Sequence, residues 1–195
     1  MAAEAARDCS DEERRLLAWF LDFDPPEGFR AELIEGEVVV SPAPAPRHEK
    51  CLSRLSRQVA RMSVTPMDYS GNAGLVLQSG GRCTKNYAIP DGVFAPIDLD
   101  LFDPEENWIS PDGVAMVVEV TSGRADHDRT VKRYCYAKAA LPHYMLVDRQ
   151  EKSVTLFSDP DEQKQDYLEI SQVPFGKPLL LPELFGFQLE TVDFV

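Results

Sequence analysis

Basic charge is what this chain has least of. Its 195 residues carry 20 Lys and Arg against 33 Asp and Glu, a formal net charge of -13. A broad basic face that grips nucleic acid by neutralising many phosphates is therefore excluded, and any nucleic-acid contact must be local. Cysteine is also sparse: Cys9, Cys51, Cys83 and Cys135 lie scattered with no Cys-x-x-Cys pair. That pattern argues against structural zinc and fits reduced thiols in cytoplasm. No apolar run reaches membrane-spanning length, and the start, Met1 to Asp8, lacks a basic segment followed by an apolar one. The sequence thus predicts a cytoplasmic protein with no membrane partner. No Gly-rich loop precedes a helix to cradle a phosphate, and Gly176-Lys177-Pro178 is not one, which counts against a hydrolase of small phosphorylated molecules. Internal repeats and low-complexity segments are absent too.

What is present is core material: 44% hydrophobic and 27% charged residues, ordinary for one globular domain over residues 1–195, with residues 1–9 expected to be disordered. Ser10 followed by Glu13 forms a capping box opening a helix whose apolar positions are Leu16, Leu17, Trp19 and Phe20; Asp24-Pro25-Pro26 ends it. Phe29 to Ile34 and Glu37 to Val40 read as a hairpin turning at Glu35-Gly36. Ser41 to Pro46 is a stiff connector, and Arg47 to Met62 a helix with Cys51, Leu52, Leu55, Val59 and Met62 inward and Arg54, Arg57 and Arg61 on its flank. Gly74 to Gln78 reads as a strand, Gly80-Gly81 as a turn, and Ile89 to Ile97 as a further strand carrying Asp91. Asp98 to Asp112 reads as an acidic surface loop without the ligand spacing or glycine of a calcium loop. Val114 to Val120, Ala125 to Ala140 and His143 to Asp148 spell a strand, helix and strand, one βαβ crossover. Ser153 to Phe157 pairs back, and Tyr167 to Ile170, Lys177 to Leu181 and Gln188 to Val192 add short strands. The fold class expected is α/β, a mixed sheet flanked by helices, with an added N-terminal helix and hairpin and a C-terminal β extension.

Two strands each offer an acid. Glu119 sits among Val117, Val118 and Val120, where a carboxylate is rarely buried without a partner. A divalent metal at the strand end or an ion pair with Arg133 or Lys132 would both answer that. Asp91, between Pro90 and Gly92, is either a turn residue or a second ligand. Magnesium and manganese prefer such oxygens, and phosphoryl-transfer sites commonly use one or two carboxylates with water and substrate completing the shell. Lys132, one helical turn beyond Asp128 and before Tyr136, is the candidate cation for the transition state, a mobile point charge reaching back towards Glu119; Lys85 is the alternative. Read singly, Asp128 with Lys132 is a solvated helix pair, His48 a cap or surface residue, and Glu35 a turn residue.

Taken in order, these residues resemble a known family. Glu32-Leu33-Ile34-Glu35-Gly36-Glu37, His48 after the proline-rich connector, Pro90-Asp91, Val118-Glu119-Val120-Thr121-Ser122, Asp128 with Lys132 and Tyr136, and the run from Tyr136 to Asp148 are similar to the Uma-two-type restriction endonuclease family. That family belongs to the restriction-endonuclease-like superfamily named for the motif PD-(D/E)XK. The resemblance implies a restriction-endonuclease-like domain over residues 29–185 and a metal-dependent endonuclease acting on nucleic acid, with DNA the expected substrate, Mg2+ or Mn2+ the cofactor and a homodimer the expected state. It implies Asp91 and Glu119 as ligands, the Val120 backbone carbonyl as a third, Lys132 as the catalytic lysine, and Glu35 and His48 as accessory site residues. The motif's usual lysine position, two residues after Glu119, is Thr121. A catalytically inactive binding or assembly module is the rival that this departure leaves open.

Overall fold

Ser10 opens the first helix, α1 (Asp11–Asp22), through the expected reciprocal cap: its hydroxyl accepts the Glu13 N–H and the Glu13 carboxylate accepts the Ser10 N–H. The computed structural model of the protein describes residues 10–78, 85–103 and 107–194; the expected disorder of residues 1–9 and the Gly80-Gly81 turn, with Cys9 and Cys83, lie outside them. Phe20 is the buried anchor of α1, packed with Ala31, Leu33 and Tyr87. The hairpin of β1 (Phe29–Ile34) and β2 (Glu37–Pro42) follows. Both turn residues have positive φ, 51° at Glu35 and 80° at Gly36, as a two-residue hairpin turn matching strand twist requires. α2 (Pro46–Met62) begins on a proline, whose missing N–H costs nothing in the first turn. It buries Cys51, Leu52, Leu55 and Val59 while Met62 stays exposed.

The strands then run β3 (Met67–Ser70), β4 (Gly74–Gln78), β5 (Lys85–Ala88), β6 (Gly92–Pro96), β7 (Trp108–Ile109) and β8 (Met116–Val120). After a π-helical segment, His127–Lys132, come α3 (Arg133–Lys138), β9 (His143–Asp148), β10 (Ser153–Asp161), β11 (Asp166–Pro174), β12 (Leu179–Leu180) and β13 (Gln188–Leu189). The expected crossover is present, since β8 and β9 pair in parallel with the helical segment between them. The strands divide among more sheets than the sequence suggested. One has the order β2-β1-β5-β4-β7, another β11-β10-β9-β8-β6-β3, and β12-β13 form a small pair.

Three expectations are corrected. The strand read over Ile89 to Ile97 starts at Gly92, because Pro90 has no N–H for a ladder, so Asp91 stands just ahead of the strand. The stretch read as the helix Ala125 to Ala140 is wound as a π-helix and then a short α-helix. The loop Asp98 to Asp112 contains the two-residue β7, paired in parallel with β4.

The alternation along β8 is what places the site. Met116, Val118 and Val120 pack with Leu52, Leu55 and Val59 of α2 on one face of the six-stranded sheet. Val117 packs on the other face with Tyr136, Leu75 and Leu77. Glu119, two residues on from Val117, therefore points to that second face, into the layer between the two large sheets.

Candidate active site

Asp91 is buried and receives three donors. Arg30 Nη2 lies 2.5 Å from Oδ1, while Oδ2 accepts from His48 Nε2 at 2.8 Å and from the Val120 N–H at 2.9 Å. Arg30 comes from β1, His48 from the first turn of α2 and Val120 from β8, so one carboxylate ties together three elements. Burial alone would push its proton affinity up; the hydrogen bond and charge of His48, then Arg30 and Lys132, outweigh it and hold the carboxyl well below the usual range. Tyr69 donates to the Asp91 backbone carbonyl at 3.4 Å. The β6–β8 register pairs Gly92 with Val118, which brings Asp91, just ahead of β6, to the Glu119 end of β8.

Glu119 is 2% exposed. Its Oε1 accepts from Lys132 Nζ at 2.9 Å and from the Tyr136 hydroxyl at 2.5 Å. The same ammonium lies 3.1 Å from Glu32 Oε1, and that oxygen also accepts the Ile89 N–H at 2.8 Å. Lys132 is thus no mobile surface charge: it is 4% exposed and fixed between two carboxylates. Burial disfavours its charge, but Glu119, Glu32, Asp91 and Asp128 together raise its pKa well above the ordinary lysine value. Glu119 responds to this crowding: burial first, then the Asp91, Asp128 and Glu32 charges, raise its pKa despite Lys132.

Asp128 responds in the same way, pushed up to about 7 by burial, with Asp91 and Glu32 adding to it and Lys132 opposing. A carboxyl whose folded pKa exceeds its unfolded value binds more protons when folded. Its contribution to stability is present below about pH 4 and is lost as pH rises towards 7. In metal-free buffer Asp128→Asn is expected to remove that slope, so the variant gains stability relative to wild type between pH 5 and pH 8. Urea unfolding across that range decides; parallel curves for the two proteins would show that Asp128 does not titrate there.

The structure brings together Asp91, Glu119, Lys132 and His48 of the residues singled out from sequence. His48 is neither a cap nor a surface group, being 3% exposed. Glu35 goes elsewhere: its carboxylate accepts from Asn86 Nδ2 at 3.1 Å and from the Cys135 thiol at 3.7 Å. Val120 meets Asp91 through its N–H, not its carbonyl. Arg133, one of two ion-pair partners considered for Glu119, instead binds Asp166 with both Nε and Nη2. Sequence reasoning missed Arg30 and Glu32. The signal was available, because alternate positions of β1 share a face and two opposite charges at such positions beside buried Ala31 and Leu33 point to a polar destination.

The donor set suits a hard divalent cation held by few protein ligands. Among the described residues no group of three or more His, Cys, Asp and Glu side chains is arranged to hold a metal ion, which excludes a closed protein cage. Asp91 beside Glu119 matches the open kind, in which water and substrate complete the shell.

A family model described as "Putative restriction endonuclease", named Uma2, matches residues 17–192. The chain belongs to the Uma2 family. Among solved structures it is similar to a protein from Anabaena variabilis described as "a putative nuclease belonging to DUF820", with 16% identity, a TM-score of 0.70 and coverage of 91% of this chain and 96% of that one. At that identity the likeness is one of fold, and the fold is restriction-endonuclease-like with mixed sheets flanked by helices. No curated protein matches the chain. In this Uma2 chain the residue two after Glu119 is committed to other partners. Thr121 Oγ1 accepts the Arg149 N–H at 2.8 Å and lies 3.4 Å from Asp148 Oδ1.

Proposed function

We propose that the protein is a divalent-metal-dependent endonuclease that hydrolyses phosphodiester bonds of nucleic acid, with DNA as the expected substrate and a homodimer as the working state in cytoplasm. The observation that carries this reading is the Lys132 ammonium fixed 2.9 Å from Glu119 Oε1, next to Asp91, whose Oδ2 accepts the N–H of the following residue, Val120. Asp91 and Glu119, with the Val120 carbonyl, are the proposed ligands, and Mg2+ or Mn2+ bound there would polarise the phosphodiester and lower the pKa of a water molecule. Asp91 is kept anionic by His48 and Arg30, and a cation bound there would share its oxygens with those donors. Glu119 gives its Oε1 to Lys132 and Tyr136, which leaves Oε2 as the oxygen that would hold the cation. Lys132 supplies positive charge where negative charge develops on the phosphoryl oxygens, and Glu32 keeps it protonated and aimed. Glu35, through Asn86 and Cys135, supports the hairpin that carries Arg30 and Glu32. No helix among the described residues is long and apolar enough to cross a membrane.

The test is incubation of purified protein with single- and double-stranded DNA and RNA in magnesium, manganese or chelator. Cleavage dependent on metal and lost in Glu119→Gln supports the reading. Absence of cleavage of every substrate with every metal favours the rival, a nuclease fold used for binding or assembly, for which the occupation of both Asp91 oxygens by Arg30, His48 and the Val120 N–H is the favouring observation.

A further inference from the structure

Beside the acid cluster lies a cavity of about 520 Å3, bordered by the end of α1, β1, β4 and β7, within the range of small-molecule sites. Its aromatic wall includes Phe23, Phe29 and Trp108, and Asn72 and Asn107 stand at its polar edge. Trp108 is held in a fixed pose. Its ring packs edge-on to Tyr87 at 5.0 Å between centroids and lies 5.7 Å from Phe20. Behind it Gly74 permits a close approach: a Cβ at Gly74 would fall 2.5 Å from Trp108 Cε3 and 2.6 Å from the Asn107 carbonyl oxygen.

Arg30 joins this cavity to the candidate active site. It lines the cavity while Nη2 binds Asp91, and its Nε is buried with no hydrogen-bond partner among the described residues. Ile89 likewise lines the cavity and donates its N–H to Glu32. A flat aromatic ligand with hydrogen-bonding edges, attached to an anion one side chain away, is what these features fit together. We infer that the cavity is a nucleobase subsite, which takes one unstacked base of a strand whose neighbouring phosphate lies at Asp91 and Glu119. Trp108 supplies the stacking face, Asn72 and Asn107 the edge contacts, and Arg30 the cationic bridge. This rests on the nuclease reading and adds to it a substrate class: strands whose bases are free to leave the stack, namely single-stranded or unpaired DNA or RNA.

The experiment is a fluorescence-polarisation titration of the full chain with labelled single-stranded oligonucleotides, with calcium as the divalent cation and strand integrity checked on a gel, alongside a fully paired duplex and a strand with a single abasic position. Wild type is expected to bind the single strand in preference to duplex. Trp108→Ala should weaken single-strand binding about tenfold to a hundredfold, the loss of one base–aromatic stack, while Trp108→Phe retains most of it. Folding of each variant is checked by circular dichroism. If Trp108→Ala and Trp108→Phe both bind as wild type does, or wild type prefers duplex, the subsite is overturned and the nuclease reading stands. If wild type binds no nucleic acid and cuts none with metal, both fall together.

Discussion

Lys132→Met is expected to lower the cleavage rate by roughly a hundredfold or more, about 3 kcal/mol of transition-state stabilisation, and to cost about 3–5 kcal/mol of folding stability as well. The second effect follows from burial. Lys132 lies between Glu119 and Glu32, and methionine fills its space but leaves two carboxyls facing each other without a cation. Because the folded pKa of Lys132 is raised above the ordinary lysine value, its contribution is fully present below roughly pH 10 and is lost only as pH rises through the folded value. The destabilisation therefore holds across the neutral range. Adding Glu119→Gln to Lys132→Met removes one of the unpaired charges and should restore much of the stability while leaving cleavage dead. Urea unfolding and cleavage rates for the single and double variants, with Lys138→Ala as a control on the same helix, separate the two effects. A Lys132→Met protein that cuts at the wild-type rate would remove lysine from the mechanism.

How much of this was legible beforehand depends on the physics of each element. The capping box at Ser10 and Glu13, the Glu35-Gly36 hairpin and the βαβ unit from Val114 to Asp148 are local patterns, and each is where its residues indicated. β3 and β5 were not seen: Met67 to Ser70 and Lys85 to Ala88 are four-residue strands of mixed polar and apolar side chains, too short to show a period and held by their neighbours β6, β1 and β4. Sheet membership is non-local in the same way, so nothing in the hairpin sequence says that β1 joins β5 and not the strand bearing Glu119. The site shows both cases. Glu119 was conspicuous because an acid inside a valine run needs a partner, and its partners Lys132 and Tyr136 follow at helical spacing. Arg30 and His48 meet Asp91 only because β1 and α2 converge on it, which no spacing records. Only four of the acids crowd around Lys132, so the net charge of -13 lies mostly outside the site; within it burial first, and then mutual repulsion, raises the pKa of Asp128 and Glu119, and a divalent cation would relieve that repulsion.

Asp91→Asn is expected to abolish detectable metal binding and to reduce cleavage by roughly a thousandfold, about 4 kcal/mol in barrier. The substitution changes few atoms, so shape is not the reason. Asp91 accepts on both oxygens, from Arg30 on one and from His48 and the Val120 N–H on the other; an asparagine keeps one acceptor and turns an NH2 group against the remaining donors. Arg30 then loses its counter-charge beside the cavity wall, and the proposed cation loses its most reliably ionised ligand. The pH dependence tells this apart from simple misfolding. Asp91's folded pKa lies below the ordinary value, so its stabilisation is present above roughly pH 4 and is lost as pH falls through the lower folded value. The stability gap between wild type and Asp91→Asn should accordingly be wide at pH 7 and narrow progressively below pH 4. Chemical unfolding at pH 7 and pH 3, together with manganese titration calorimetry at pH 7, gives both readouts. A gap unchanged at pH 3 would mean that the carboxylate's charge is not what Arg30 and His48 hold, and manganese binding equal to wild type would place the metal elsewhere.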